Sequence, residues 1–248
     1  YTRNQFQIAN KLVQNGVVDP EAIGRSAEAV SLSDSQIIAC SPQHGPRSIE
    51  CALDETIAAA ALLDEIAKGR EQRVDAHIIA CFGDPALDAA REIASAPVIG
   101  VAEAAFKLAS IVSHRFGIVT TLARTLPAAE HLLQRYGYQH LCSGARAADI
   151  PVLDLEELQQ DTFEQLKNEC LAAIQQDGAD SIVLGCAGMS ELAQELSSCL
   201  NVPVIDGVSA AVKLAESLHQ LKLSTSKRGQ YAAPIQKQFI GRYQHWSR

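Results

Sequence analysis

The sequence lacks a long hydrophobic run. Its most continuous apolar segment, TIAAAALLDEIA (56–67), ends in charged residues and falls well short of the roughly 20 apolar residues that a membrane-spanning helix needs. The first residues, YTRNQFQ, lack the basic-then-apolar order of a secretory signal. We therefore expect a cytoplasmic protein that has no membrane partner.

Clustered cysteines and an excess of positive charge are missing as well. The chain has an odd number of cysteines, with no CxxC pair and no cysteine–histidine cluster at zinc spacing, so neither a disulfide scaffold nor a structural metal is expected. The formal net charge of −8 argues against a nucleic-acid partner, which normally requires a basic face. We expect a small-molecule partner instead. The cysteines are Cys40, Cys51, Cys81, Cys142, Cys170, Cys186 and Cys199.

Short β-rich runs alternate with longer helical patterns along the chain, and several of the runs are continuously apolar. Such runs are typical of strands that are buried on both faces of a parallel sheet. The pattern predicts an α/β protein whose helices cover a mainly parallel sheet, with an α+β arrangement as the alternative. The predicted strands lie at 6–10, 36–40, 76–81, 97–101, 116–120, 181–186 and 203–207. The predicted helices lie at 48–69, 84–95, 126–137, 156–178, 188–200 and 209–223.

An internal repeat indicates two halves of like topology. APVIGVAEAAFKLA (96–109) aligns with VPVIDGVSAAVKLA (202–215), with a one-residue insertion, and each copy follows a strand that ends in cysteine. These cysteines, Cys81 and Cys186, lie 16 and 17 residues before the proline of the PVI segment in their own copy. Matched features in the same order make a chance resemblance improbable.

The repeat predicts the domain organisation. We expect a first α/β half at 1–115, a second at 116–223 and a tail at 224–248, with part of 205–248 packing back on the first half. Two such halves, related by a pseudo-two-fold axis, would turn their equivalent strand ends towards each other, so that the two cysteines meet in one cleft. The tail mixes basic and aromatic residues, and we expect it to pack on the body or on a neighbouring subunit rather than on nucleic acid.

Two facing thiols suit a reaction that needs an acid and a base on opposite faces of one carbon atom. One thiolate would remove a proton and the opposite thiol would return one, which is racemisation or epimerisation without a cofactor. Backbone N–H groups after each cysteine would stabilise the charge that develops on a neighbouring carbonyl oxygen. The same N–H groups, and the helix start beyond them, are expected to lower the pKa of each thiol. The other five cysteines are expected to be packing residues.

Several segments resemble the Asp/Glu/hydantoin racemase superfamily. They are ACFGDPALDAAREIASAPVIGVAEAA, FGIVTTLART, LGCAGM and PVIDGVSAAVKLAESL, and the similarity runs from about Ile37 to Gly229. Within the superfamily they look most like the hydantoin racemase branch, especially the bacterial allantoin racemases. The resemblance implies a cofactor-independent racemase of 5-substituted hydantoins, with allantoin, a compound of purine catabolism, as the leading substrate. It also implies a homo-oligomer.

The resemblance assigns roles to individual residues. Cys81 and Cys186 would be the two catalytic acid/bases, and Thr120 and Thr121 would contact the substrate at the end of the strand that opens the second half. Asn10 would replace the first asparagine of the family's Asn-Pro-Asn-Thr motif, although the chain reads FQIANKLVQNG and lacks the rest. The expected substrate-binding residues are Asn10, His44, Phe82, Gly83, Thr120, Thr121, Gly185, Ala187 and Gly188.

Four polar loop residues are candidates either for the site or for a purely structural role. His44 follows the second strand and would face the same cleft, or would be an exposed loop histidine. Glu50 would cap or orient that loop. Asp84 is expected to be the N-cap of the helix that follows it, and Asp206 to be a loop or cap residue.

The residues beside the cysteines bear on the substrate. Amino-acid racemases of the superfamily carry Cys-Asn-Thr and Cys-Thr, whose side chains hold a substrate carboxylate, whereas this chain has Cys-Phe-Gly and Cys-Ala-Gly. Backbone donors suit a neutral imide or ureide ring better. One alternative is an amino-acid racemase or a related isomerase or decarboxylase. Another is a non-catalytic protein that binds a ureide or uses the paired thiols as a redox switch.

Overall fold

The first half is built on a sheet of four parallel strands in the order β2-β1-β3-β4. The computed structural model describes residues 4–9, 20–155 and 160–247. The strands of this sheet are β1 (Asn4–Ala9), β2 (Ser35–Cys40), β3 (Ala76–Ile79) and β4 (Val98–Gly100). Its helices are α1 (Pro20–Val30), α2 (Ala52–Gln72), α3 (Leu87–Ile93) and α4 (Val101–Val112).

The second half repeats this architecture, with four parallel strands in the equivalent order β6-β5-β7-β8. The strands are β5 (Phe116–Thr120), β6 (Cys142–Ala147), β7 (Ser181–Leu184) and β8 (Val204–Ile205). The helices are α5 (Leu126–Tyr136), α6 (Gln160–Gln175), α7 (Ala193–Leu200) and α8 (Gly207–Gln220). Short 3₁₀ helices lie at Ala123–Thr125, Val152–Leu155, Ala187–Leu192, Gly229–Tyr231 and Gly241–Trp246.

The predicted α/β class is confirmed, and the strands that precede the two cysteines are fully buried. Every residue of β3 and β7 is buried, as their continuous apolar runs indicate. Strand β6 was not predicted, because CSGARA has no apolar run and the strand is a half-buried edge of its sheet. Helix α1 was also not predicted, and the segment predicted as a helix at 188–200 begins with a 3₁₀ helix.

The two halves exchange a helix. Helix α8 follows the last strand of the second sheet, yet its buried residues join the core of the first half around Phe6 and Ile78. Helix α4 follows the last strand of the first sheet but packs against the second half. Its Phe106 stacks on Phe116 with ring centroids 5.5 Å apart and shares a core cluster with Val183. The exchange ties the halves together and fixes how their strand ends face each other.

The C-terminal tail packs on the first half. The ammonium group of Lys227 donates to the carbonyl oxygens of Arg91, Glu92 and Ala94 at 2.7, 2.8 and 3.0 Å, at the carboxyl end of α3. Further along, the Trp246 indole donates to Asp64 on α2 at 3.1 Å. Across 4–9, 20–155 and 160–247, no helix is both long and apolar enough to cross a membrane.

Candidate active site

A cavity of about 450 Å³ lies where the carboxyl ends of β3, β5 and β7 meet. Its size is typical of a small-molecule site, and Cys81 and Cys186 both line it, as predicted for a cleft between the halves. Both residues are partly exposed to solvent there. The sequence repeat therefore corresponds to two equivalent strand ends on one cavity.

Each cysteine begins the same kind of turn. The carbonyl of Cys81 accepts a hydrogen bond from the N–H of Asp84 at 2.9 Å, and that of Cys186 accepts one from the N–H of Met189 at 3.1 Å. Each turn also brings the N–H group of a glycine, Gly83 or Gly188, onto the cysteine sulfur. Two thiols in matched surroundings thus face one volume.

The pKa values of these thiols move in the opposite direction to the prediction. Burial raises the pKa of Cys81 to about 12 and that of Cys186 to about 11, although the glycine N–H groups act to lower both values. The expectation of a lowered pKa was wrong, because loss of hydration penalises the thiolate more than one N–H donor stabilises it. A negative charge on Cys186 also raises the pKa of Cys81, so the pair disfavours two thiolates at once.

Thr120, the last residue of β5, and Thr121, which follows it, are buried beside the second cysteine turn. The Thr120 hydroxyl donates to the carbonyl oxygen of Gly185 at 3.2 Å and lies 3.1 Å from the hydroxyl of Thr125. Thr121 also lines the cavity, and its carbonyl accepts from the N–H of Ile150. A Cβ on Gly185 would lie 2.7 Å from the Cβ of Thr120, so only glycine allows this close approach of the strand ends.

The remaining predicted site residues divide into three groups. Phe82, Gly83, Ala187 and Gly188 line the cavity together with Gly185. In contrast, His44 is exposed and is not among the lining residues, in agreement with its alternative as an exposed loop histidine. Asn10 lies outside the residues that the structure describes.

The ring of Phe82 packs in the hydrophobic core beside the cavity. Its side chain is buried and meets Phe106 edge-to-face, with ring centroids 5.7 Å apart. The ring therefore anchors the first cysteine turn in the core that α4 shares with the second sheet. This packing fixes the position of the turn at the cavity wall.

Three acidic residues line the cavity, two from the first half and one from the second, and the sequence prediction did not include them among the substrate-binding residues. Glu50 accepts a hydrogen bond from the N–H of Val152 at 3.0 Å and so joins the halves. Glu55 lies in the first turn of α2, against the backbone of Gly83. Glu191 pairs with Arg25 at 3.6 Å near the rim. The signal that would have found Glu50 and Glu55 is their position at a helix start that follows a strand end.

Asp84 caps a different helix from the one predicted. Its carboxyl group accepts hydrogen bonds from the N–H groups of Ala102 and Glu103, in the first turn of α4, and from the Tyr136 hydroxyl. Helix α3 begins instead after Ala86, so the prediction of a cap on the following helix was wrong. Asp84 has a left-handed φ of 44°, and the N–H groups of α4 hold its carboxyl group.

The second half caps the equivalent helix in the ordinary way. Asp206 accepts from the N–H of Ser209 at 2.7 Å and is the N-cap of α8, which confirms a cap role. Gly100 is the equivalent of Asp206 in the repeat, and a Cβ there would collide with the carboxyl group of Asp84. The carboxylate cap is thus present in both halves but comes from different sequence positions.

Solved structures and curated relatives agree with this architecture. The allantoin racemase from Klebsiella pneumoniae matches with a TM-score of 0.94 and 48% identity, covering 98% of this chain and 99% of that one. The fold is therefore that of the two-domain α/β racemases, a class of isomerase. The chain belongs to the Asp/Glu/hydantoin racemase family, whose model matches residues 21–215. The resemblance found in the sequence is confirmed.

Two curated relatives support the same class. The hydantoin racemase of Rhizobium meliloti is 46% identical over 216 residues, which is 87% of this chain and 90% of that protein. The hydantoin racemase of Pseudomonas sp. (strain NS671) is 42% identical over 228 residues, which is 92% of each. The protein is therefore an enzyme of the racemase type.

Proposed function

We propose that the protein is a cofactor-independent racemase of 5-substituted hydantoins, with allantoin as the leading substrate, and that Cys81 and Cys186 are its acid/base pair. The observation that carries the proposal is the pair of matched turns, which present two thiols to one cavity. The hydantoin and allantoin racemases to which the chain is similar support the substrate class.

In the proposed reaction, one thiol acts as a thiolate and removes the hydrogen of the ring carbon. The electron pair moves onto the adjacent carbonyl oxygen, where N–H groups of the two turns stabilise the negative charge at roughly 3–4 kcal/mol for each well-placed donor. The opposite thiol then donates its proton to the other face of the carbon. Because charge on Cys186 raises the pKa of Cys81, the two groups are not thiolates at the same time, so the partner of the reacting thiolate keeps the proton that it must donate.

A neutral ring suits this cavity better than an amino acid. Glu50 and Glu55 line its first-half wall and would repel a substrate carboxylate, while Arg25, on the same wall, is paired with Glu191. The N–H groups of Gly83 and Gly188 lie against the two cysteine sulfurs, and in this proposal a ring carbonyl oxygen bound beside each thiol shares them. These features favour a hydantoin over aspartate or glutamate. A place in purine catabolism, a cytoplasmic location and a homo-oligomeric state stay predictions from the sequence.

The test is racemisation of separate L and D enantiomers of allantoin and 5-benzylhydantoin, followed by circular dichroism against an enzyme-free control. We expect the wild type to abolish the optical signal of both enantiomers. Cys81→Ala and Cys186→Ala should each lose at least about 100-fold in rate, because each removes one of two required groups. Cys199→Ala, at an exposed cysteine outside the cavity, is the matched control. Full turnover by either cavity variant would remove the two-base mechanism, and an unchanged signal with wild type would remove the substrate class.

A further inference from the structure

Glu55 is the acid of the cavity wall whose carboxyl group is not engaged by the protein. In the part of the chain that the structure describes, no hydrogen bond or ion pair involves this group. The other two acidic residues of the cavity wall have protein partners. Glu50 accepts a hydrogen bond from the N–H of Val152, and Glu191 forms an ion pair with Arg25. Glu55 therefore has free acceptor capacity facing the cavity.

The position of Glu55 connects it with the first cysteine turn. A Cβ placed on Gly83 would lie 3.4 Å from the carboxyl carbon of Glu55, so the carboxyl group rests directly on this turn. The N–H of Gly83 contacts the sulfur of Cys81, and the charge of Glu55 is close enough to raise the pKa of that thiol. Any molecule that Cys81 reaches is thus also within the range of Glu55.

The surroundings of Glu55 call for a hydrogen-bond donor. Burial raises the pKa of its carboxyl group, and the charge of Arg135 offsets this only in part. A location in the first turn of α2 favours negative charge through the helix dipole but provides no N–H to this side chain. A half-buried carboxylate without a partner is unfavourable, and a ligand N–H would remove the penalty.

We propose that Glu55 is a specificity-determining residue that accepts a hydrogen bond from the substrate N–H bonded to the reacting carbon. This inference rests on the proposed function, since a hydantoin ring carries such an N–H next to its acidic C–H. In this proposal the N–H groups of the cysteine turns bind the ring carbonyl oxygens, and the Glu55 carboxylate binds the ring N–H. A ring that lacks this N–H would leave the Glu55 carboxylate unpaired.

The experiment compares 5-benzylhydantoin with its 1-methyl derivative, which lacks the N–H in question, and with its 3-methyl derivative, which keeps it. For the parent compound, kcat/KM should fall in the order wild type, Glu55→Gln, Glu55→Ala, with the alanine variant reduced about 10- to 100-fold, as expected for loss of a hydrogen bond to a charged group. The wild type should discriminate against the 1-methyl compound by a similar factor, and Glu55→Ala should lose that discrimination. Glu71→Ala, on the exposed far end of the same helix, is the control.

Three results would overturn the inference. The first is a Glu55→Ala enzyme that keeps the parent rate, or the full preference for the parent over the 1-methyl compound, while the wild type racemises hydantoins; this would contradict the role of Glu55 alone. The second is an equal loss of rate by Glu55→Ala for all three compounds, which a merely structural role predicts. The third is a wild type that racemises no hydantoin at all, which would also remove the proposed function.

Discussion

Removal of the Asp84 carboxyl group is expected to destabilise the fold by about 2–4 kcal/mol. Asp84 is 1% exposed and accepts three hydrogen bonds, from the N–H groups of Ala102 and Glu103 at 3.1 and 2.9 Å and from the Tyr136 hydroxyl at 2.8 Å. Loss of the helix cap costs about 0.5–2 kcal/mol, and a buried hydroxyl left without its acceptor adds about 1–3 kcal/mol. Release of a buried carboxyl group offsets part of that sum.

Urea unfolding of Asp84→Ala at fixed pH, followed by far-UV circular dichroism, measures this loss. Asp206→Ala is the matched control, because it removes a single cap hydrogen bond, to the N–H of Ser209, from the equivalent helix. It should cost about 0.5–2 kcal/mol. An Asp84 variant as stable as the wild type, or no less stable than the control variant, would refute the reasoning.

The same carboxyl group gives the prediction a pH signature. Burial raises the pKa of Asp84 from 3.8 to about 7 in the folded protein, although N–H and hydroxyl donors lower it. The native state therefore holds a proton that the unfolded chain releases near its ordinary pKa, so this contribution to stability is lost as pH rises through that window. Asp84→Asn keeps the shape, tolerates the left-handed φ of 44° and has no such proton. Wild type should lose stability relative to Asp84→Asn as pH rises from 4 to 7, and parallel curves would contradict this.

Three further predictions concern the strand ends, the tail and the thiols. Gly185→Ala should lower both stability and activity, because the new methyl group would lie 2.7 Å from the Cβ of Thr120; an unchanged melting temperature would contradict the crowding. Lys227→Ala should release the tail from α3 and speed its cleavage by chymotrypsin, since three carbonyl hydrogen bonds are lost; equal cleavage rates would show that the tail is held elsewhere. Near neutral pH, iodoacetamide should label exposed Cys199 before the two cavity thiols, whose pKa values burial raises to about 12 and 11; peptide mass spectrometry gives the order, and faster labelling of a cavity thiol would contradict it.

The part of the fold that sequence could predict is the part set by local pattern. The apolar runs before Cys81 and Cys186 identified the two buried strands, and the repeated PVI segments identified the two halves. Edge strand β6 was not predicted, because CSGARA carries no apolar alternation. The packing of α4 against the second half was not predicted, because periodicity gives the buried face of a helix but not the sheet that it covers.

In the site, too, features set by local sequence were predictable and features set by distant residues were not. Spacing within one turn placed Gly83 and Gly188 beside their thiols, and the structure has them there. The cap made by Asp84 joins residues 18 and 19 positions apart, through a space left by Gly100, and no local pattern carries that information. The direction of the thiol pKa depends on the burial of each sulfur by the whole cavity wall, which the residues of the turn alone do not reveal.

The central claim is that two thiols act on opposite faces of one carbon, and deuterium incorporation tests it most directly. One enantiomer of 5-benzylhydantoin is incubated with the wild-type enzyme in D₂O. Early in the reaction the two enantiomers are separated, and the deuterium content of each is measured by mass spectrometry. The exchange seen without enzyme is subtracted. The account predicts deuterium in the product enantiomer and almost none in the recovered substrate, because the thiol that removes hydrogen is not the one that returns it. Equal deuterium in both enantiomers would show that one base serves both faces, and it would contradict the roles proposed for Cys81 and Cys186.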